Sequence, residues 1–459
     1  MRLLAICLIA IAGLFLRLDA AWDGAARNLP DSAAYERIAR GLHEDGRFIQ
    51  QGPGTPAHPQ AASNYSPGLP LAVAGIFNLA GNDDARLARI VLALLTSLSI
   101  PMAWLLARRL APDGEGELAG IAAAATVAFY PCLIADAGML LTESLAGTLI
   151  IAALLTTLKA ADLSSRFQAG GQGSAGRILI TWAGAGTLLG LAAMVRPEYL
   201  PLSLVFVAVL LILKRREGFR SLWLPAVALL AAICVTILPW TIHNLDDTGR
   251  IVPLSTGGGQ TLFTGSYLAS GGDPLEVMPG VLAGNPDIAR KLETQNLASG
   301  EGDESITPER VLALLAAERM PGVPTDVALA RLGRQNYLDA VTGNPAGLAS
   351  FLASKTVRIW WRGRTDLTGT PLGRAFHISL VALAALGLFS LAFRRRSEFW
   401  LIASLLVGAT LVGVVLVASP RRTLALWPLI ACLSGLGLSA AFSLARGALG
   451  SRTRAVPIA

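Results

Sequence analysis

Two acidic side chains of this sequence lie beside apolar segments. Asp31 follows the first apolar run, and Glu143 lies about one helical turn inside a later one. An acid within a membrane-spanning segment is energetically costly and is therefore a candidate for function. Simpler explanations stay open: Asp31 is suited to capping the helix that starts there, and Glu143 to snorkelling or pairing with an arginine.

Arginines occupy two short turns, Arg196 in the turn 196–199 and the pair Arg421 and Arg422 in the turn 419–422. If the other Arg-rich short loops face the cytoplasm, these turns lie on the opposite side, against the usual charge preference. They either anchor the chain at the interface or bind an anion, most naturally phosphate, which a planar guanidinium fork fits. Carboxylates beside such cations suit group transfer from a lipid phosphate. The carboxylate deprotonates the acceptor, and the cation stabilises the departing phosphate.

The composition indicates that membrane helices carry these side chains. The 459 residues are 53% hydrophobic and 15% charged, with a mean hydropathy of +0.55, which excludes a chain of soluble domains, a disordered chain and a disulfide scaffold. The net charge of +7 comes almost entirely from arginine and is typical of cytoplasmic loops, so we expect no nucleic-acid partner. The four cysteines and four histidines show no spacing that indicates a metal centre.

Hydropathy and charge predict an all-α polytopic membrane protein of about ten transmembrane helices with both termini in the cytoplasm. A span needs roughly 20 mostly apolar residues. The first run is interpreted as an uncleaved helix, and the apolar stretch 69–80 as a helix in the interface, because it is too short to cross comfortably. The ten predicted spans are 3–16, 90–107, 118–135, 144–158, 178–195, 199–213, 221–245, 375–393, 399–420 and 423–445.

Two long segments then lie on the exoplasmic side. Within 23–85, Tyr35, Ile38 and Leu42 share one face of a helix that opens at Pro30, and we expect this face to lie on the membrane. The segment 246–374 is predicted to be a small, mainly helical insertion, with helix starts at 307–308, 325–326 and 344–345. The predicted domains are therefore an N-terminal membrane module (1–245), the insertion (246–374) and C-terminal membrane helices (375–459).

The order of several short motifs resembles the GT-C superfamily of polyprenyl-phosphate-sugar glycosyltransferases, in the bacterial protein O-mannosyltransferase-like (family 39-like) branch. Each motif is weak alone, and their shared order covers most of the chain. The matching motifs are D-x-x-x-Y at Asp31 and Tyr35, the Pro-rich start of a short helix at 66–81 with Arg86 or Arg89 after it, LTE at 141–143, G-L-A-x-x-x-R-P at 190–197, PWxxxN with a later P-L-S-T-x-G-G at 239–259, and R-x-x-L-x-L-x-P at 421–428.

The resemblance implies a bacterial inner-membrane enzyme that takes sugar from a polyprenyl phosphate on the exoplasmic face, with inversion at the sugar carbon. It implies Asp31 as the catalytic base and Glu143 as a second acid, and these two would be the ligands of a divalent metal where one is present. The sugar and the acceptor, whether protein, lipid or glycan, stay open. The residues that it implies for substrate binding are Tyr35, Arg196, Arg421, Asn244 and Gly258.

Two other classes remain as alternatives to an enzyme. A transporter or flippase of a lipid-linked or anionic substrate also has many spans, although such proteins typically show repeated halves and charges at the midplane. A non-catalytic membrane partner would only present the insertion. The long outer segments and the acids at the membrane rim favour the enzyme.

Overall fold

The computed structural model describes residues 2–24, 29–50, 63–170, 174–214, 219–299, 307–361 and 363–453, and within these ranges the chain is helical, without a β-strand. A short 3-10 helix spans Leu268–Ser270. The helices are α1 (Arg2–Asp23), α2 (Pro30–Glu44), α3 (Gly68–Ala80), α4 (Ala85–Ser97), α5 (Ser99–Leu110), α6 (Gly116–Phe129), α7 (Pro131–Ala137), α8 (Glu143–Gln168), α9 (Ala175–Val195), α10 (Tyr199–Lys214), α11 (Phe219–Thr248), α12 (Gly258–Ser266), α13 (Val277–Gly284), α14 (Pro286–Ser299), α15 (Pro308–Arg319), α16 (Thr325–Gly343), α17 (Pro345–Trp360), α18 (Asp366–Gly369), α19 (Pro371–Arg394), α20 (Arg396–Val415), α21 (Arg421–Leu424) and α22 (Trp427–Thr453).

The helices confirm the predicted all-α polytopic membrane architecture. Eight of the helices in the described ranges are long and apolar enough to cross a membrane, counting α4 and α5 as one, and the bent pair α6–α7 makes a ninth. All ten predicted spans coincide with helices, but α10 is a shorter apolar helix, so the number of crossings stays a prediction. Helix α3 has 13 residues and is about 20 Å long, well short of a bilayer core.

The bend between α6 and α7 has a chemical cause. Pro131 has no N–H to offer to the carbonyl of Val127, one helical turn back, and the pair bends by 48° at this break. Arg17, fully buried in α1, donates instead: Nη2 lies 2.9 Å from Val127 O, and Nη1 lies 2.9 Å from Thr96 O. A charge inside the first span is therefore used to satisfy backbone carbonyls.

Small residues let the membrane helices pack closely around α22. A side chain at Gly437 would place its Cβ 1.9 Å from the carbonyl oxygen of Leu383, and one at Gly435 would lie 2.2 Å from that of Ala119. Close packing of this kind replaces the hydrophobic driving force that is absent in lipid. It fixes α6, α19 and α22 relative to one another.

The amphipathic helix α2 forms as predicted, but its apolar face does not lie on the membrane. Tyr35 and Ala39 pack against Leu69 and Val73 of α3, while Ile38 packs with Phe48 and Trp240. The predicted membrane contact is therefore wrong. The apolar face is instead covered by α3, Phe48 and Trp240.

In the described residues of the segment after α11, helices α12–α16 surround a separate core that includes Phe263, Val281, Leu312 and Leu329, and α17 follows them. Two predicted helix starts are confirmed by their caps: Thr307 accepts from Arg310 N, and Asn344 accepts from Gly347 N. At the third start the N-cap is Pro324 and no side chain caps the helix.

Candidate active site

Asp31 lies in the first turn of α2, beside the ends of the membrane helices. The N-cap of α2 is Leu29 and no side chain caps the helix, so the capping explanation of Asp31 is wrong. Its carboxylate instead accepts from Arg421, with Nη1 2.6 Å from Oδ2. The Asp31 side chain is 46% exposed, which leaves it accessible to a ligand.

Glu143 is the first residue of α8, and its side chain is 0% exposed. It does not snorkel to the interface. Its Oε1 accepts from Arg421 Nε and lies 3.1 Å from Arg196 Nη1, so the arginine-pair explanation is the arrangement found. Breaking such a buried pair from one side leaves an uncompensated charge and is strongly destabilising.

Arg421 joins the two acids through a single guanidinium. Its Nε faces Glu143 and its Nη1 faces Asp31, from residues far apart in the sequence. Burial alone would lower the pKa of Arg421, but the carboxylates of Glu143 and Asp31 outweigh burial and raise it. The guanidinium therefore stays charged, between one exposed and one buried carboxylate.

A second cation, Arg196, directly follows α9 and is held from two sides. Its Nη2 lies 2.7 Å from Glu198 Oε1, and its Nη1 donates to Thr142 Oγ1 at 3.0 Å. Arg422 reaches the same Glu198 oxygen at 3.5 Å. Burial would raise the pKa of Glu198, but the charges of Arg196 and Arg422 hold it below its usual value.

Glu198 and the pair of Asp136 and Arg364 behind Glu143 have no role in the sequence predictions. Asp136 Oδ2 accepts from the N–H and hydroxyl of Ser144 at 3.0 and 2.5 Å, while Arg364 Nη2 lies 3.6 Å from Asp136 Oδ1. For Glu198, the available signal was its position two residues from Arg196, in a turn whose positive charge is unusual for the exoplasmic side. No local pattern links Arg364 to Asp136.

Tyr35 is buried one helical turn from Asp31, with its ring 5.6 Å from that of Tyr65 in an edge-to-face pair. Burial raises the pKa of Tyr35 to about 12, so its hydroxyl stays protonated. Tyr35 thus forms part of the wall of the site and carries an uncharged hydroxyl.

Asn244 and Gly258 make other contacts. Asn244 Nδ2 donates to the carbonyls of Val252 and Leu254 at 3.0 and 3.1 Å and fixes the turn after α11. Gly258 begins α12 and lines a separate groove. None of the contacts described for these two residues reaches Asp31, Glu143 or Arg421.

The geometry gives no support to Asp31 and Glu143 as a pair of metal ligands. The guanidinium of Arg421 bonds to both carboxylates, where a cation would have to lie. Within the described ranges, no group of three or more His, Cys, Asp or Glu side chains is placed to hold a metal ion. As arranged, the residues suit an anion better than a cation.

No protein-family model matches the sequence, and no curated protein matches it. Several solved structures do match the fold of this chain. The apo oligosaccharyltransferase of Archaeoglobus fulgidus aligns with a TM-score of 0.58 and 17% identity, over 98% of this chain and 52% of that one. The same enzyme with an inhibitory peptide and a dolichol-phosphate gives a TM-score of 0.56 and 16% identity, over 98% and 52%. ArnT of Cupriavidus metallidurans, bound to undecaprenyl phosphate, gives 0.41 and 14%, over 95% and 77%.

The likeness to the oligosaccharyltransferase shows that this chain shares the fold of the matched part of that enzyme. The chain spans about half the length of that archaeal enzyme (52%). Together with the apolar helices, the shared fold makes this chain an integral membrane protein.

Proposed function

We propose that the chain is an integral-membrane glycosyltransferase that moves a sugar from a polyprenyl-phosphate donor to an acceptor on the exoplasmic face. The observation that carries this proposal is the guanidinium of Arg421 between an exposed Asp31 and a buried Glu143. The shared fold supports it, because one structure of the archaeal oligosaccharyltransferase contains a dolichol-phosphate.

Asp31 is the general base of the proposed reaction. The acceptor oxygen or nitrogen bonds to the anomeric carbon as the bond from that carbon to the phosphate oxygen breaks. The electron pair leaves with the phosphate, and the acceptor's proton passes to the Asp31 carboxylate. Attack opposite the phosphate inverts the sugar carbon. Of the two acids, Asp31 suits this step because its side chain is 46% exposed, whereas that of Glu143 is 0% exposed.

Arg421 and Arg196 stabilise the phosphate as it leaves. A guanidinium presents several N–H donors in a fixed plane, and such donors act strongly in a site from which water is excluded. Glu143 is the second acid of the site and orients both cations through one carboxylate oxygen. A donor phosphate on Arg421 competes with Asp31 for the same N–H groups, so donor binding releases the base.

The charge pattern supports an orientation with both termini in the cytoplasm and the site outside. The membrane is the bacterial inner membrane, as the motif resemblance implies. Single cysteines at positions 55 and 300 should then react with an impermeant thiol reagent in intact cells, and one at position 170 only after permeabilisation. External labelling at 170 would put Asp31 on the cytoplasmic face and overturn the orientation.

The rival function, a transporter or flippase, fits the charge positions less well. Transporter sites lie near the bilayer midplane, whereas Glu143 begins α8 and Arg421 lies beyond α20. The test uses purified protein in proteoliposomes with a polyprenyl-phosphate sugar that is radiolabelled in the sugar. An enzyme moves the label to an acceptor and releases polyprenyl phosphate. Label that crosses the bilayer still joined to the intact lipid would indicate a flippase.

A further inference from the structure

A second concave surface lies on the segment after α11, apart from the Arg421 cluster. This groove has a volume of about 650 Å³ and runs between the chain leading into α12 and one face of α16. Side chains at helical spacing on α16 form one wall. Most of the lining is apolar, including Val252, Leu262, Val327, Ala330, Leu338 and Val341.

One end of the groove reaches the membrane helices. The hydroxyl of Tyr337, which lines the groove, lies 2.6 Å from the carbonyl oxygen of Val415 at the end of α20. Beside it, Leu338 and Val341 are 47% and 53% exposed. This exposed apolar end of the groove therefore lies beside the end of α20, one of the helices long and apolar enough to cross a membrane.

Two cations on the groove have no counter-ion. Arg331 and Arg334 line it and form no ion pair with any residue that the structure describes. By contrast, Asp326 in the same wall is neutralised by Arg250, whose Nη2 lies 2.8 Å away. An apolar channel with two unpaired guanidinium groups is complementary to an amphiphile that carries a phosphate.

A backbone hydrogen bond and an aromatic pair connect the groove to the helix that carries Asp31. Thr256, which lines the groove, donates its N–H to Ser63 O at 2.8 Å, in the chain that continues to Tyr65. The ring of Tyr65 packs on Tyr35, one helical turn from Asp31. These contacts join the groove to α2, the helix on which Asp31 lies.

We propose that this groove binds the acceptor and that the acceptor is a phosphate-bearing membrane lipid. Its chain lies along the apolar wall and its phosphate meets Arg331 and Arg334. The binding of an anionic lipid rests on the groove alone, whereas its role as acceptor rests on the proposed glycosyl transfer.

Photo-crosslinking tests binding without any need for activity. The full chain is placed in nanodiscs that contain phosphatidylglycerol or phosphatidylcholine with a photoreactive group at the acyl terminus, and labelled peptides are mapped by mass spectrometry. Phosphatidylglycerol should label the stretch 325–343 about tenfold more than phosphatidylcholine. The double variant Arg331→Glu and Arg334→Glu should abolish this preference, and Arg290→Glu, on an exposed arginine of the same segment, should not.

Equal labelling by the two lipids, or a preference that survives the double variant, overturns the proposal. The proposal is also overturned if a peptide is the acceptor, that is, if the wild type and the double variant transfer sugar to a peptide equally well. Leu338→Trp, which fills the groove, should raise the KM for a lipid acceptor at least about fivefold and leave polyprenyl phosphate affinity unchanged. Preferential labelling in a protein that transfers no sugar would contradict the proposed function while the lipid site stands.

Discussion

Two cations near the end of α20 are held in opposite ways. Arg421 bonds to two carboxylates, Asp31 and Glu143. Lys355 is fully buried and donates to backbone carbonyls, with Nζ 2.6 Å from Gly265 O and 2.7 Å from Leu416 O.

The difference separates a cation suited to a ligand from one that is structural. A guanidinium can exchange an exposed carboxylate for a phosphate and keep its charge paired. The backbone carbonyls at Lys355 have no comparable replacement, and losing their donor leaves them unsatisfied. Substitutions at the two positions should therefore have different consequences.

The largest effect is expected at Asp31. Asp31→Asn keeps the size of the side chain but removes the general base, so transfer should fall at least about a hundredfold. Because the variant no longer competes for Arg421, polyprenyl phosphate should bind at least as tightly as to the wild type. Asp83→Asn is the matched control, since Asp83 is a 49% exposed carboxylate that also pairs with an arginine. Near-normal transfer by Asp31→Asn would remove Asp31 from the mechanism.

Arg421→Ala should weaken binding of polyprenyl phosphate about tenfold or more, because charge-assisted bonds to the phosphate are lost. Arg196→Ala should have a similar but smaller effect, since Glu198 and Thr142 also hold that side chain. Arg40→Ala serves as control, because Arg40 is about as exposed as Arg421 (21% against 22%) and lies on α2. Binding is measured in detergent by competition with a fluorescent polyprenyl phosphate. Unchanged affinity in both site variants would reduce the arginines to interface anchors.

Lys355→Met should change polyprenyl phosphate affinity only a few-fold but should loosen the contact between α17 and the end of α20. Hydrogen exchange of α17 reports this loosening. Lys291→Met, which removes a 56% exposed lysine of the same segment, should leave the exchange unchanged. A tenfold loss of donor affinity with normal exchange at α17 would contradict the distinction between the two cations.

The smallest effect is a pH dependence. Burial, with smaller contributions from Arg358 and Arg422, lowers the pKa of Lys355 to about 7. The unfolded chain binds this proton more tightly than the folded chain, so the free energy of unfolding should rise as the pH increases from about 7 towards 10. Below pH 7 Lys355 is charged in the folded chain, so the full free-energy cost of burying this charge lowers the stability. Thermal melting between pH 7 and 9 should show this rise in the wild type and a smaller rise in Lys355→Met; equal slopes would contradict it.

Features that depend on neighbouring residues in the sequence were predicted well. Apolar runs of sufficient length gave the positions of the membrane helices, and Thr307 and Asn344 marked helix starts because capping involves neighbouring residues. Asp31 and Glu143 were candidate site residues because charges beside membrane spans are energetically costly.

Features that depend on distant contacts were not predictable in this way. The bond from Arg421 to Asp31 joins residues that are 390 positions apart, and no local pattern specifies it. The membrane contact expected for α2 was wrong because the surface offered by α3 is not visible in the sequence of α2. Asn244 bonds to the turn after α11, and its expected role at the substrate stays a prediction.

The most direct test of the central claim is a cryo-electron microscopy structure of the full chain in a nanodisc with polyprenyl phosphate added. The account predicts phosphate oxygens within hydrogen-bonding distance of Arg421, a broken bond between Arg421 and Asp31, and a free Asp31 carboxylate facing the phosphate. A bound lipid phosphate elsewhere, with Arg421 still joined to both Asp31 and Glu143, would contradict it.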